Sequence, residues 1–244
     1  DPQMAAFAED LKVQMRERLS ESRERMGLAW EDLEGVPNGE VCGAIVHDGT
    51  SDPAVAMLVD VTDRLDKANE LLDKIETELT KQNAKRSEKT IADTTIVIYE
   101  LPPADPDADT DPDYEPKPRF AVFFLKDNLL CAADNLEVIE GILGRFSGNA
   151  KDTLASTDVY QAVMNRCRAD AGETKPNVRW FVEPLPLADA LRARNAGRKR
   201  SGMDYVKAMK KTGFEALRGA GGFVTLAASP SHDLVHRTAI FAPQ

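Results

Sequence analysis

Met4, Ala8, Leu11, Met15, Leu19 and Met26 recur at helical spacing with charged residues between them. That pattern predicts an amphipathic helix over about residues 3–26. Leu28 to Leu33 reads as one further turn, closed by Gly35 and Pro37. The period then changes. Two strand-like runs, Glu40–Val46 and Ala54–Val61, flank a turn containing Asp48-Gly49. In the second run Val55, Met57, Val59 and Val61 alternate with Ala54, Ala56, Leu58 and Asp60. The second set is also small or apolar apart from Asp60, so both faces are expected to be covered.

A helical stripe returns with Leu65, Ala68, Leu71, Leu72, Ile75 and Leu79, predicting a helix over 63–83. Thr62 or Asp63 is expected to cap it. Asp63/Lys67 and Glu70/Lys74 are spaced to pair one turn apart. Four strand-like runs follow: Lys85–Ile91, Thr94–Leu101, Arg119–Lys126 and Asn128–Ala133. The short Asp127-Asn128 junction predicts a hairpin between the last two. Asp134 is then placed to cap a helix bearing Leu136, Ile139, Ile142 and Leu143, with Glu137 close to the position a capping box requires.

Residues 147–156 are polar, with Gly and Ser, and suggest a boundary. Beyond them come a helix with Tyr160, Val163, Met164 and Cys167 on one face, and a strand Asn177–Glu183 ended by Pro184 and Pro186. Two short helices, near 187–195 and 202–211, precede a final hairpin of Gly222–Ala228 with His232–Ala242. Hairpins in series, rather than regular βαβ units, imply an α+β fold with a mostly antiparallel sheet and packed helices. The expected organisation is a first unit at 1–148 and a partial second unit at 149–244 packed on it.

The start of the chain has an echo near its end. Trp30-Glu31-Asp32-Leu33-Glu34-Gly35 is followed by Gly39, Val41, Ala44 and Asp52. Phe214-Glu215-Ala216-Leu217-Arg218-Gly219 is followed by Gly222, Val224, Ala227 and Asp233. Each stretch runs from a helix end through a glycine turn into a hairpin. The expected reading is a degenerate internal duplication whose second copy is truncated after its hairpin. A period this long is a domain-scale duplication, not a solenoid.

Charge narrows the partners. The formal net charge is −10 over 244 residues, which favours solubility and argues against nucleic acid, whose phosphates need a basic surface. No apolar run is long enough for a membrane span. The chain opens on Asp1-Pro2 and ends directly after a strand-like run, so it reads as a piece of a longer protein. Its lack of a signal peptide therefore carries little weight.

Positive charge gathers at Arg192, Arg194, Arg198, Lys199, Arg200, Lys207, Lys210, Lys211 and Arg218. Against Asp204 and Glu215 this stretch is net +7, leaving −17 elsewhere. It is the candidate surface for an anionic partner or envelope component, or else the solvated face of two helices and their linker. The absence of interleaved aromatics speaks against nucleic acid.

Candidate chemistry is sparse. Asp105, Asp107, Asp109, Asp111 and Asp113 alternate with other residues and are the weak calcium candidates. They lack the EF-hand positions, because Thr110 and Pro116 stand where Gly and Glu are required. Five prolines between Pro102 and Pro116 favour an extended solvated loop. Cys42, Cys131 and Cys167 show no CxxC spacing and lie in apolar contexts, so three buried thiols are expected. His232 and His236 would stand about 13 Å apart on a strand, too far to share a metal easily. Gly219-Ala220-Gly221-Gly222 precedes a strand, whereas phosphate-binding glycines follow a strand and open a helix. No catalytic residue and no cofactor are expected.

The stretches GLAWEDLEGVPNGEV, LVDVTD, KRSEKTI, GGFVTLA and HRTAIF resemble a group of uncharacterised bacterial exported proteins that share a domain of unknown function. The resemblance spans about residues 20–242 and rests on glycines, apolar strands and helix ends. It implies an envelope or periplasmic location and brings no catalytic residues with it. The leading expectation is a non-catalytic exported domain with a binding or scaffold role. The alternatives are a carrier of an apolar or lipid ligand, motivated by strands apolar on both faces, and a hydrolase using an acidic pair.

Overall fold

The computed structural model describes residues 30–47, 52–103, 117–146, 148, 153–173, 175–194, 218–228 and 234–241. The expected helices at 3–26 and 202–211 lie outside these residues. The chain divides into two units, residues 1–46 with 54–147 and residues 47–53 with 148–244.

The first unit is built on six strands: β1 (Val41–Val46), β2 (Ala54–Asp60), β3 (Lys85–Ile91), β4 (Thr94–Leu101), β5 (Arg119–Lys126) and β6 (Leu129–Ala133). Their order is β1-β2-β6-β5-β4-β3, and every neighbouring pair is antiparallel. β6 thus returns between the early hairpin and the later meander. The β5–β6 hairpin closes on Asp127 and Asn128, both at positive φ (49° and 62°). This is the left-handed pair that a two-residue turn needs to match strand twist. Ala92 and Asp93 do the same between β3 and β4, at 46° and 59°.

A helix packs on each face of the central strands of the sheet. α1 (Leu65–Lys81) buries Ala68, Leu71, Ile75 and Leu79. They pack against Val59, Val61, Tyr99, Leu101, Ala121, Phe123, Leu130 and Ala132. α2 (Leu136–Phe146) buries Ile139 and Leu143 against Ala56, Ile96, Val122, Phe124, Cys131 and Ala133. Side chains alternate across a strand, so Phe123 serves one core and Phe124 the other. This accounts for the unbroken apolar run at the centre of β5. Tyr99 meets Phe123, and Phe124 meets Phe146, edge to face.

Several local expectations are corrected. α1 is not capped by Thr62 or Asp63, since its N-cap is Arg64 and no side chain closes it. The Thr62 hydroxyl donates instead to Asp60 at 2.7 Å, and Asp63 stands at φ 58° outside the helix. Lys67 therefore pairs with Glu70, three residues on, and Lys74 with Asp32 across the fold. At α2 the capping oxygen belongs to Asn135, which accepts from the Val138 N–H at 3.1 Å. Asp134 is spent on the sheet, accepting from the Val55 N–H at 2.7 Å.

The second unit holds α3 (Asp158–Ala171), β7 (Val178–Val182), α4 (Pro184–Arg194), β8 (Ala220–Ala228) and β9 (Leu234–Phe241). The strands form an antiparallel sheet in the order β7-β8-β9. α3 packs Val163, Met164 and Cys167 against Phe223 of β8. A Cβ on Gly221 would overlap Val163 and the Trp180 carbonyl, so glycine there sets how closely helix and sheet approach. α4 begins at Pro184, earlier than expected, because a proline in the first helical turn gives up only an N–H that has no intrahelical acceptor.

The final hairpin belongs to this separate three-stranded sheet. Phe214 and the helix end of the late repeat lie outside the described residues.

Candidate functional site

The sites expected from charge are only partly in view. Asp105, Asp107, Asp109, Asp111 and Asp113 lie outside the described residues, as do Arg198, Lys199, Arg200, Lys207, Lys210 and Lys211. Arg192 and Arg194 stand in the last turn of α4, where a cation faces the negative end of a helix, and both already interact within the protein. Among the described residues no three His, Cys, Asp or Glu side chains converge as a metal site, and no helix is long and apolar enough to cross a membrane.

The acidic pair Asp60 and Glu100 is not brought together either. Asp60 on β2 and Glu100 on β4 are separated by β6 and β5, roughly 14 Å across the strands alone. Asp60 is engaged locally. The Thr62 hydroxyl, then the Thr62 N–H, hydrogen-bond its carboxylate and hold it below the usual range.

A cleft of about 620 Å³ lies beside α1, floored by Val97, Tyr99, Phe123 and Leu125. Its polar end is a knot of charges. Arg86 donates to Glu88 at 2.6 Å and lies 3.5 Å from Glu76, and the Tyr99 hydroxyl donates to Glu76 at 3.4 Å. Partial burial raises the Tyr99 phenol, and the Glu88 hydrogen bond raises Arg86. Each charge faces its opposite, so the knot ties β3 and β4 to α1 rather than holding a proton ready for transfer.

The exposed feature of the first unit is β1. All six of its residues, Val-Cys-Gly-Ala-Ile-Val, are solvent-exposed, with Val41 at 38%, Ile45 at 46% and Val46 at 42%. Cys42, expected to be buried, is exposed for the same reason: among the described residues β1 has a strand neighbour on one side only. Cys131 and Cys167 are buried, and burial pushes the Cys131 thiol up to about 12.

The ladder fixes which backbone groups of β1 are free. Asp134 N–H donates to Val55 O, and Val61 N–H to Asn128 O, so the odd residues of β2 face β6. The even residues of β2 therefore face β1, as Asp60 N–H donating to Glu40 O shows. Register pairs these with Cys42, Ala44 and Val46. Val41, Gly43 and Ile45 are left directing their N–H and C=O groups outward along the open edge.

The opposite edge is guarded. β3 carries Lys85, Arg86, Glu88 and Lys89, all exposed. Charge on an edge strand is a standard defence against unwanted strand pairing, and β1 has none. Gly43 adds a second sign. A glycine inside a strand costs about 0.5–1 kcal/mol relative to alanine. Among the described residues nothing lies within 4 Å of where its Cβ would stand, so packing within them does not require glycine there.

The double-sided apolarity that motivated the carrier reading now divides into two cases. β6 is apolar on both faces because α1 packs on one and α2 on the other. β1 is apolar on both faces and exposed on both. Sequence periodicity did not separate the two. The available signal was the neutral six-residue run with glycine inside it. Comparisons with protein-family models, with characterised proteins and with solved structures found no match.

Proposed function

We propose that this chain is a non-catalytic binding module that accepts an extended segment as an added strand along β1. The observation that carries this reading is the contrast between the two edges of one sheet, β1 neutral and exposed, β3 charged. Strand addition draws its affinity from main-chain hydrogen bonds and its selectivity from alternate side chains. β1 supplies both, through the outward groups of Val41, Gly43 and Ile45 and through apolar side chains on each face. The resemblance to exported bacterial proteins would set this role in the cell envelope.

The test uses a synthetic peptide of sequence Val-Ser-Gly-Ala-Ile-Val flanked by lysines, with amide hydrogen exchange as the readout. The amides of Cys42, Ala44 and Val46 are expected to be protected in the free protein by β2. Those of Val41, Gly43 and Ile45 should gain protection when peptide is added to the dilute, monomeric chain. Gly43→Pro removes an outward donor without touching the ladder to β2, and should weaken binding at least tenfold. Ile45→Lys gives the same result by placing charge on the edge. Protection appearing elsewhere, or binding unchanged in both variants, would defeat the proposal.

A further inference from the structure

We infer that the segment β1 accepts is β1 of a second copy, paired antiparallel about a two-fold axis at Gly43. This rests on the strand-addition reading and names its occupant. In an antiparallel pair centred on Gly43, Val41 faces Ile45 of the second copy, and Gly43 faces Gly43. These are the residues whose N–H and C=O groups point outward, so every outward group between Val41 and Ile45 finds a mate. On the other face of the sheet Cys42 meets Ala44 of the second copy. The strand is therefore complementary to itself, branched side chain to branched on one face and small to small on the other.

Charge leaves self-pairing at this edge unopposed. The same operation about Ser87 of β3 would set Lys85 against Lys89 and Arg86 against Glu88 of the second copy, so that edge would have to place charge at every facing position but the axis. About Gly43 of β1 the facing positions from 41 to 45 carry no charge. Gly43 also takes on a reason. Side chains stand above and below a sheet, so two glycines facing each other on the axis leave the centre of one face clear between the two Val41–Ile45 contacts. An interface of one short strand is small, so the dimer is expected to be weak and concentration-dependent.

The experiment is sedimentation velocity of the full chain over the micromolar-to-millimolar range, joined to disulfide trapping. The register gives a specific trap. Cys42 and position 44 of the second copy form a non-hydrogen-bonded pair with Cα atoms about 4.5 Å apart, within disulfide reach. Ala44→Cys should yield a reciprocal pair of intermolecular disulfides under mild oxidation, at least tenfold faster than wild type forms any. Gly43→Pro and Ile45→Lys should each shift sedimentation to monomer, and because they act differently, misfolding of one leaves the other informative.

A monomer at every concentration that still takes up the peptide overturns the second copy and leaves strand addition standing. A monomer that does not bind the peptide overturns both. Rapid Cys42–Cys42 linkage in wild type overturns the register, since it requires the axis at Cys42. A dimer unaffected by both edge variants places the interface elsewhere and overturns the inference.

Discussion

Ala92 sits at φ 46° in the β3–β4 turn, in a region that costs an L-residue energy and glycine almost none. Lys126 holds the turn from the next strand, its ammonium donating to the Ala92 carbonyl at 3.2 Å and to the Thr94 hydroxyl at 3.0 Å. Ala92→Gly is expected to raise stability by about 0.5–1 kcal/mol, measured by urea denaturation. The matching β5–β6 turn was legible in advance because Asp and Asn are the residues that tolerate this conformation. Ala92 carries no such mark. Cys131 gives a second residue-scale prediction. Its thiol has an ordinary value of 9.0 and is pushed to about 12 by burial, so above pH 9 the folded state holds a proton the unfolded state has lost. Stability should therefore fall as pH rises from about 9. The fall should be shallower in Cys131→Ala, followed by urea midpoints across that range.

At the level of elements, hydrophobic spacing located the strands and α1 closely, because two-fold and 3.6-fold patterns record which faces are covered. It said less about how elements are tied at their ends. Asp134 and Asn135 are both good caps by composition, and only the β2–β6 ladder decides that Asp134 serves Val55 while Asn135 serves the helix. The proline pair at 184 and 186 illustrates the same limit, since the residue that stops a strand also starts a helix. The edge position of β1 was out of reach for a related reason. A neutral run reads alike whether helices bury it, as with β6, or water surrounds it, because neighbours across a sheet come from distant sequence. The glycines show the difference once packing is known: Gly221 is crowded by α3, while Gly43 meets nothing.

On the scale of the molecule, both cores of the first unit draw on residues from Leu33 to Leu143. A chain of residues 30–146 is therefore expected to fold alone, giving a dispersed amide spectrum and a cooperative thermal transition. A collapsed spectrum would show that the six-stranded sheet needs residues beyond it. The α+β class and antiparallel order were legible in the alternation of hairpins and helices. The strand order was less so, because β6 inserting beside β2 is a non-local choice. The difference between the two margins of this sheet also limits how it grows. With β3 charged, only one margin is open to addition, and a symmetric joining at β1 consumes that margin on both copies. Growth through this sheet would stop at two chains, a closed pair instead of a filament, so a neutral strand that elsewhere would invite fibres here terminates its own assembly.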